Sequence, residues 1–278
     1  MPINSIGIVG NGFVGNALYV NFKDKYNTKV YDSLQERCFN TLEEVLDCDY
    51  VFVCLPTPMK SAEGAECNLS ILNNFINNIP LNNKSLFIIK STVPIGTTKN
   101  FKSLRPDLKI VHNPEFLTAA NAANDFKNSY RNIIGGELED CKYLAQLLSD
   151  MFPNATNLLV SSDESEMIKY FANTFLAVKV AYFNMMYDLC IDINANYDNI
   201  VQGVCSDERI GYSHSKVPGP DGDRGFGGTC FPKDINSLIK TYEQRGLNCD
   251  IIKEVWKQNK NIRKNWDWAV SKSAVLGE

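Results

Sequence analysis

Ten residues, Gly225-Phe226-Gly227-Gly228-Thr229-Cys230-Phe231-Pro232-Lys233-Asp234, concentrate more chemistry than any other stretch of this chain. Cys230 follows a glycine-rich turn that can bring backbone close to a ligand, and Asp234 comes four residues later. A helix starting near Phe231 would take Pro232 in its first turn, where a missing N–H costs little. Cys230 would then lie beside the positive end of a helix dipole and near Lys233. Both favour the thiolate, the nucleophilic form of the side chain. The other reading is a buried, inert thiol in an ordinary loop, the usual fate of an isolated cysteine.

An independent pattern stands at the other end of the chain. Ile6–Val9 reads as a short buried strand, followed by Gly10-Asn11-Gly12-Phe13-Val14-Gly15 and an apolar run, Ala17, Leu18 and Val20, that can open a helix. The first glycine allows a tight turn, the second lets backbone approach a pyrophosphate, and the third permits close packing of helix on strand. A second strand, residues 28–32, ends in Asp32, twenty residues after Gly12. A carboxylate there accepts from both ribose hydroxyls and repels a 2′-phosphate, which selects NAD over NADP.

The elements that must hold these groups belong to an ordinary globular chain. Its 278 residues are 44% hydrophobic and 22% charged, enough for two domains with real cores. Net charge is −4 and no basic run appears, so nucleic acid is not an expected partner. No unbroken apolar stretch reaches the roughly eighteen residues of a membrane span, and the first residues do not read as a signal peptide. The expectation is a cytoplasmic protein without membrane contact. Nine cysteines are scattered without a C-x-x-C pair, and the histidines are His112 and His214. Neither a metal site nor a disulfide framework is readable, which fits a reducing compartment.

Residues 1–160 alternate short β-rich runs with helical patterns, the signature of a doubly wound parallel sheet of Rossmann type. Further strands are expected at 50–54, 85–89, 109–112 and 132–134. Ligands bind beyond the carboxyl ends of such strands. Pro56, Thr57, Thr92 and Glu115 fall at those ends, as site residues or as plain strand terminators. From residue 161 to 278 the chain reads as an all-α domain. Asp163 with Glu166 gives a capping-box signal for a helix running to about Ile193. On it Lys169 and Asn173 share a face amid apolar neighbours. Lys169 there either works as an acid or base with a lowered pKa, or snorkels at the surface. Helices are expected at 197–204 and 235–242, and one long helix from Asp250 to about Val270.

GNGFVG, KSTVP, NPEF, KYFANTFLAVK, DERIG and GFGGTCFPKD, in this order and at these separations, resemble the UDP-glucose/GDP-mannose dehydrogenase family over nearly the whole chain. The resemblance implies oxidation of the primary alcohol at C6 of a nucleotide sugar to a carboxylate, with two NAD and no metal. UDP-glucose is the commonest substrate of such enzymes, and UDP-N-acetylmannosamine, UDP-galactose and GDP-mannose are others. It further implies that Cys230 carries a thiohemiacetal and then a thioester, that Lys169 stabilises an oxyanion or handles the hydroxyl proton, and that Asn173 hydrogen-bonds beside it. Asp234 would assist proton transfer or position water, and Thr92 and Glu115 would hold the hydrolytic water. Gly10 to Gly15, Asp32, Pro56, Thr57 and Thr92 would bind NAD. Glu115, Phe116, Leu117, Lys169, Asn173, Phe226, Gly227 and Gly228 would bind the substrate. Arg209 would reach the sugar site of a neighbouring subunit, making a homodimer the working unit.

Three departures qualify the resemblance. Thr118-Ala119-Ala120 follows NPEFL where the family has a small residue and a glutamate. The stretch between Gly211 and Gly225 is longer than is common, as a lid or as a surface turn. Relatives continue into a second Rossmann-like domain, whereas this sequence ends at Glu278, either as a natural short form or as part of a longer protein. A high KM for the nucleotide sugar is the expectation in that case. Two other readings stand beside this one. β-Hydroxyacid dehydrogenases also join a Rossmann domain to a helical one carrying Lys-x-x-x-Asn, but have no need of Cys230. A catalytically inactive NAD-binding module is the third.

Overall fold

Unbroken apolar runs such as Tyr50-Val-Phe-Val53 and Leu86-Phe-Ile-Ile89 are stable as strands only when both faces of the sheet are covered. The computed structural model, which describes residues 5–117, 122–271 and 275, places them at the centre of a seven-stranded sheet. The strands are β1 (Ser5–Val9), β2 (Asn27–Tyr31), β3 (Tyr50–Val53), β4 (Leu86–Ile89), β5 (Lys109–His112), β6 (Arg131–Gly136) and β7 (Thr156–Val160), in the order β2-β1-β3-β4-β5-β6-β7. All neighbours are parallel except β5 and β6. The half-exposed strands β2 and β7 are the two edges.

Successive side chains of a strand point to opposite faces, and the core divides accordingly. Ile8, Phe52 and Ile88 lie on one face with Leu18 and Phe22 of α1 (Phe13–Phe22) and Leu144 and Leu148 of α6 (Leu138–Met151). Val51, Val53, Phe87 and Ile89 lie on the other, with residues of α2 (Leu42–Leu46), α3 (Ser70–Asn78) and α4 (Thr97–Leu104). From β1 the chain moves outward to β2, then returns past β1 to β3. The reversal opens a crevice at the carboxyl ends of β1 and β3. The sheet is the expected α/β architecture, and β7 extends it beyond the six strands read from the sequence.

The remaining helices are α5 (Ala122–Lys127), α7 (Ser162–Asp192), α8 (Tyr197–Cys205), α9 (Phe231–Gln244) and α10 (Asp250–Ile262). Two compact units divide the chain: residues 1–57 with 69–169, and residues 58–68 with 170–278. The change between them falls within α7, after Lys169. The second unit is helical. Its core gathers Ala177 and Ala181 of α7, Ile235 and Ile239 of α9, and Trp256 and Trp268 around the fully buried Met59. The segment 58–68 is tied in by the indole N–H groups, Trp268 donating to Ala62 O at 3.0 Å and Trp256 to Glu63 O at 3.2 Å.

Two local expectations are corrected. The capping box of α7 is Ser161 with Glu164, each side chain engaging the other's backbone N–H at 2.7–3.3 Å, and not Asp163 with Glu166. The expected helix from Asp250 to Val270 breaks after Ile262, and a separate 3₁₀ turn covers Asp267–Val270. Arg263 is extended there (φ −81°, ψ 126°), which frees its buried guanidinium to bind four other residues. Among the described residues α7 is the one helix long and apolar enough on average to cross a membrane. Its Glu166, Asn173, Thr174 and Asn184 are buried and hydrogen-bonded.

Candidate functional site

Three glycines make the loop after β1, each for a different reason. Gly10 has φ +90°, and a Cβ there would stand 2.7 Å from Cys54 O. A Cβ on Gly15 would stand 1.9 Å from Gly10 O, so α1 packs directly on the turn. At Gly12, the residue preceding α1, a Cβ would meet nothing within 4 Å, and no side chain caps the helix. A helix N-terminus without a side-chain cap, beside space left open at Gly12, favours an anion. Asp32, just past β2, accepts from Asn11 N at 2.6 Å and from Leu34 N at 2.8 Å. Asn11 Oδ1 is buried without a partner. Phe13 is exposed and Val14 half-buried. The cradle, the helix end and the carboxylate suit a dinucleotide: pyrophosphate over Gly12, ribose at Asp32.

Loops at the ends of β3, β4 and β5 complete this edge of the sheet. Pro56 is exposed, while buried Thr57 donates to Thr92 O at 2.8 Å and ties two of the loops together. Glu115 follows β5 and is met by Lys169 of α7, whose ammonium lies 3.2 Å from its Oε1 and also donates to its backbone carbonyl. Leu117 N donates to Glu115 Oε2 at 2.6 Å. Burial works against the Glu115 carboxylate, but Lys169 first, then Leu117 N–H and Lys90, overcome it and hold the group below the ordinary glutamate range. Lys169 is buried with its ammonium over the Phe116 ring, 5.2 Å from the centroid, and does not snorkel. The departure at Thr118-Ala119-Ala120 lies outside the described residues.

In the second unit, α9 begins at Phe231 with Pro232 in its first turn, as the residue types required. Cys230 is the residue immediately before it and is exposed, whereas the other eight cysteines are buried, like Cys190, Cys205 and Cys249, or partly buried. Asp234, one turn into the helix and 1% exposed, accepts from Lys233 Nζ and from Asn173 Nδ2, each at 2.6 Å. Burial opposes the Lys233 charge, yet Asp234, with Cys67 and Cys230 behind it, holds the ammonium above the ordinary lysine range. The Phe226 ring is core, stacked on Trp256, so that position offers a ligand no side chain. Gly227 and Gly228 follow it, Gly228 with φ +72°. Arg209 is on the surface, paired with Asp207 two residues back.

Residues 24–156 match the NAD binding domain of the UDP-glucose/GDP-mannose dehydrogenase family, and residues 163–261 match the central domain of the same family. The chain belongs to that family. Among its relatives is the UDP-glucose 6-dehydrogenase of Rickettsia prowazekii, 36% identical over 241 residues that make up 84% of this chain and 53% of the relative. The chain thus spans about half the length of the curated relatives it matches. A UDP-glucose dehydrogenase structure from Pyrobaculum islandicum superposes with a TM-score of 0.80 at 26% identity, covering 93% of this chain and 68% of that one. A 3-hydroxyisobutyrate dehydrogenase from Mycobacterium tuberculosis shares the fold, with a TM-score of 0.73 at 15% identity over 92% of both chains.

Within the family's NAD binding domain, one cluster went unnoticed in the sequence. Lys90, 4% exposed at the end of β4, donates to Asn113 Oδ1 at 2.8 Å, and Asn113 in turn donates to Ile133 O at 2.6 Å. Burial pushes the Lys90 ammonium down to about 8, against the pull of Cys54 and Glu115. His112 is fully buried, with Nδ1 2.9 Å from Ser165 Oγ, and burial pushes it down to about 3, so the ring is neutral. The only available signal was position: both residues end strands on the ligand edge.

Proposed function

We propose that this protein oxidises the C6 alcohol of a nucleotide sugar, UDP-glucose in the first instance, to the carboxylate with NAD. The observation that carries the reading is the exposed thiol of Cys230 at the N-terminus of α9, one turn from the buried Asp234, in a chain of this family. Gly10, Asn11, Gly12, Phe13, Val14, Gly15 and Asp32 would hold NAD, with Pro56, Thr57 and Thr92 along its nicotinamide half. Bound there, NAD supplies the oxidising power by accepting a hydride from C6 in each of two rounds.

Going from alcohol to acid requires an aldehyde intermediate that must not escape. Cys230 sulfur adds to the aldehyde carbon, giving a thiohemiacetal whose loss of the second hydride leaves a thioester. Water then attacks the acyl carbon, the C–S bond breaks, and the thiolate returns as the carboxylate leaves. Lys169, a buried cation, suits the stabilisation of an oxyanion on C6 or transfer of its proton. Glu115, ionised, and Thr92 suit the holding of the hydrolytic water. Asp234, fixed by Lys233 and Asn173, assists proton transfer at the sulfur end. Phe116, Leu117 and the Gly227-Gly228 backbone would border the sugar. Arg209, exposed and paired with Asp207 in this chain, suits a contact to a second subunit, with a homodimer as the working form.

The test is NADH formation at 340 nm with excess NAD and limiting UDP-glucose, beside Cys230→Ala and Cys230→Ser. Two NADH per sugar, with steady turnover lost in both variants, is the expected result. One NADH per substrate would replace the reading with a single oxidation of the β-hydroxyacid dehydrogenase kind. No NADH across a panel of UDP- and GDP-sugars would reduce the chain to a binding module.

A further inference from the structure

We propose that Asn259, Arg263 and Asp267 form a clamp that sets the conformation of the loop presenting Cys230, and so act as positioning residues for its thiol. The inference rests on Cys230 being the nucleophile. None of the three is in a motif that pointed to chemistry, yet all bear on residues 224–228.

Asn259 of α10 is 1% exposed and meets both polar atoms of the Phe226 backbone. Its Oδ1 accepts from Phe226 N at 2.7 Å and its Nδ2 donates to Phe226 O at 2.9 Å. A Cβ on Gly225 would stand 2.3 Å from that Oδ1, so only glycine admits the amide so close. Arg263, 5% exposed, lies under the next glycine, where a Cβ on Gly227 would stand 2.1 Å from Nη2 and 2.3 Å from Asp267 Oδ1. Asp267 binds the Arg263 Nη2 at 3.1 Å through Oδ1 and accepts from Gly228 N at 2.9 Å through Oδ2. Gly228 is two residues from Cys230.

The longer stretch before the loop is fastened to the same place. Asp221 Oδ2 pairs with Arg263 Nη2 at 2.6 Å, Asp223 Oδ2 accepts from Asn265 N at 3.0 Å, and Arg224 O accepts from Arg263 Nη1 at 3.4 Å. On the other side Asn184 of α7 accepts from Gly225 N at 3.1 Å. The glycines of the motif therefore have a second purpose beside ligand approach: they let an amide, a guanidinium and a carboxylate grip the backbone. This also explains why α10 stops at Ile262, since a continuing helix would carry Arg263 and Asp267 on a rigid rod instead of under the loop.

The test follows the thiol and needs no turnover. Iodoacetamide alkylation of Cys230 is read by peptide mass spectrometry across pH in the 278-residue protein, for the parent, Asn259→Ala, Asn259→Asp, Arg263→Lys and Asp267→Asn, with far-UV circular dichroism and a thermal melt of each as the fold control. The clamp requires the rate and pH profile for Cys230 to change in Asn259→Ala, Arg263→Lys and Asp267→Asn, with a smaller change in Asn259→Asp, which keeps the acceptor for Phe226 N. Cys38 should react as in the parent. In turnover, kcat should fall by about 10²-fold with KM for NAD unmoved. Parent-like Cys230 profiles in folded variants overturn the proposal. If Asn259→Ala fails to fold, the partly exposed Asp267→Asn decides. Inactivity of the parent on every sugar would end the proposed function while the alkylation result still judged the clamp.

Discussion

Glu166 of α7 caps α4 through Thr98: its Oε1 accepts from Thr98 N at 2.8 Å and Thr98 Oγ1 at 2.7 Å, while Oε2 accepts from Gly96 N at 2.6 Å. The same helix thus fixes the loop that carries Thr92 and, one turn on, presents Lys169. Burial pushes the carboxyl up to about 7 despite these three donors. Because the folded value lies above the unfolded one, the stability from this group is full below about pH 4.5 and is lost as pH rises through 7. Glu166→Gln sets an amide N–H against a backbone donor, so it should cost about 1–3 kcal/mol at pH 5. The gap to the parent should narrow by pH 8, measured by urea denaturation. A gap that widens with pH would contradict this account.

Lys169 and Glu115 are a buried pair with side chains 4% and 10% exposed. Removing one partner strands the other's charge, so Lys169→Met should destabilise the fold by about 3–5 kcal/mol. The sign for Glu115 is opposite to that for Glu166. Its folded pKa is lowered, so its contribution is present above the unfolded value and is lost as pH falls. The deficit of Lys169→Met should therefore be largest near neutral pH and shrink as pH falls and Glu115 is protonated, and urea denaturation at several pH values measures it. A deficit that grows as pH falls would mean the pair is not formed.

The sheet and the two chemical loops were legible because their signals are local. Buried strands read as apolar runs, and glycine spacing reports backbone geometry directly. Less visible were features that depend on partners distant in sequence. Glu166 looked like part of a capping box because a carboxylate three residues after Asp163 fits the pattern, and only the fold brings Gly96 and Thr98 to it. Trp266 and Trp268 extended the apolar count of α10, yet they stack on each other beyond the break that Arg263 makes. Residue types cannot show that a guanidinium finds four partners off its own helix. Lys90 was hidden for the same reason, since nothing in KSTVP says which way a lysine points.

Gly12 separates folding from ligand binding. A methyl group there meets no atom within 4 Å, whereas at Gly10 and Gly15 it would strike backbone oxygen. Gly12→Ala should leave stability within about 0.5 kcal/mol of the parent and weaken NAD binding, because the methyl occupies the space assigned to pyrophosphate. Gly15→Ala should lose stability as well as binding. Calorimetric titration with NAD beside a thermal melt gives both quantities. NAD affinity unchanged in Gly12→Ala would move the cofactor elsewhere.

Asp234 joins Lys233 and Asn173 in a buried set whose members are unequal. Asp234→Asn removes the only carboxylate bonded to a buried ammonium among the described residues of that set, and should cost about 3–5 kcal/mol. Asn173→Ala leaves the ion pair intact and removes one hydrogen bond to a charged acceptor, for about 1.5–3 kcal/mol. The double variant Lys233→Met with Asp234→Asn should recover part of the loss, because no buried charge then lacks its counterion. Urea denaturation midpoints at equal slope rank the three. A double variant less stable than Asp234→Asn alone would show that Lys233 is held by something other than Asp234. In turnover the ranking should change. Lys233→Met with Asp234→Asn should remain inactive even where stability returns, if Asp234 has the proposed part in proton transfer at the sulfur.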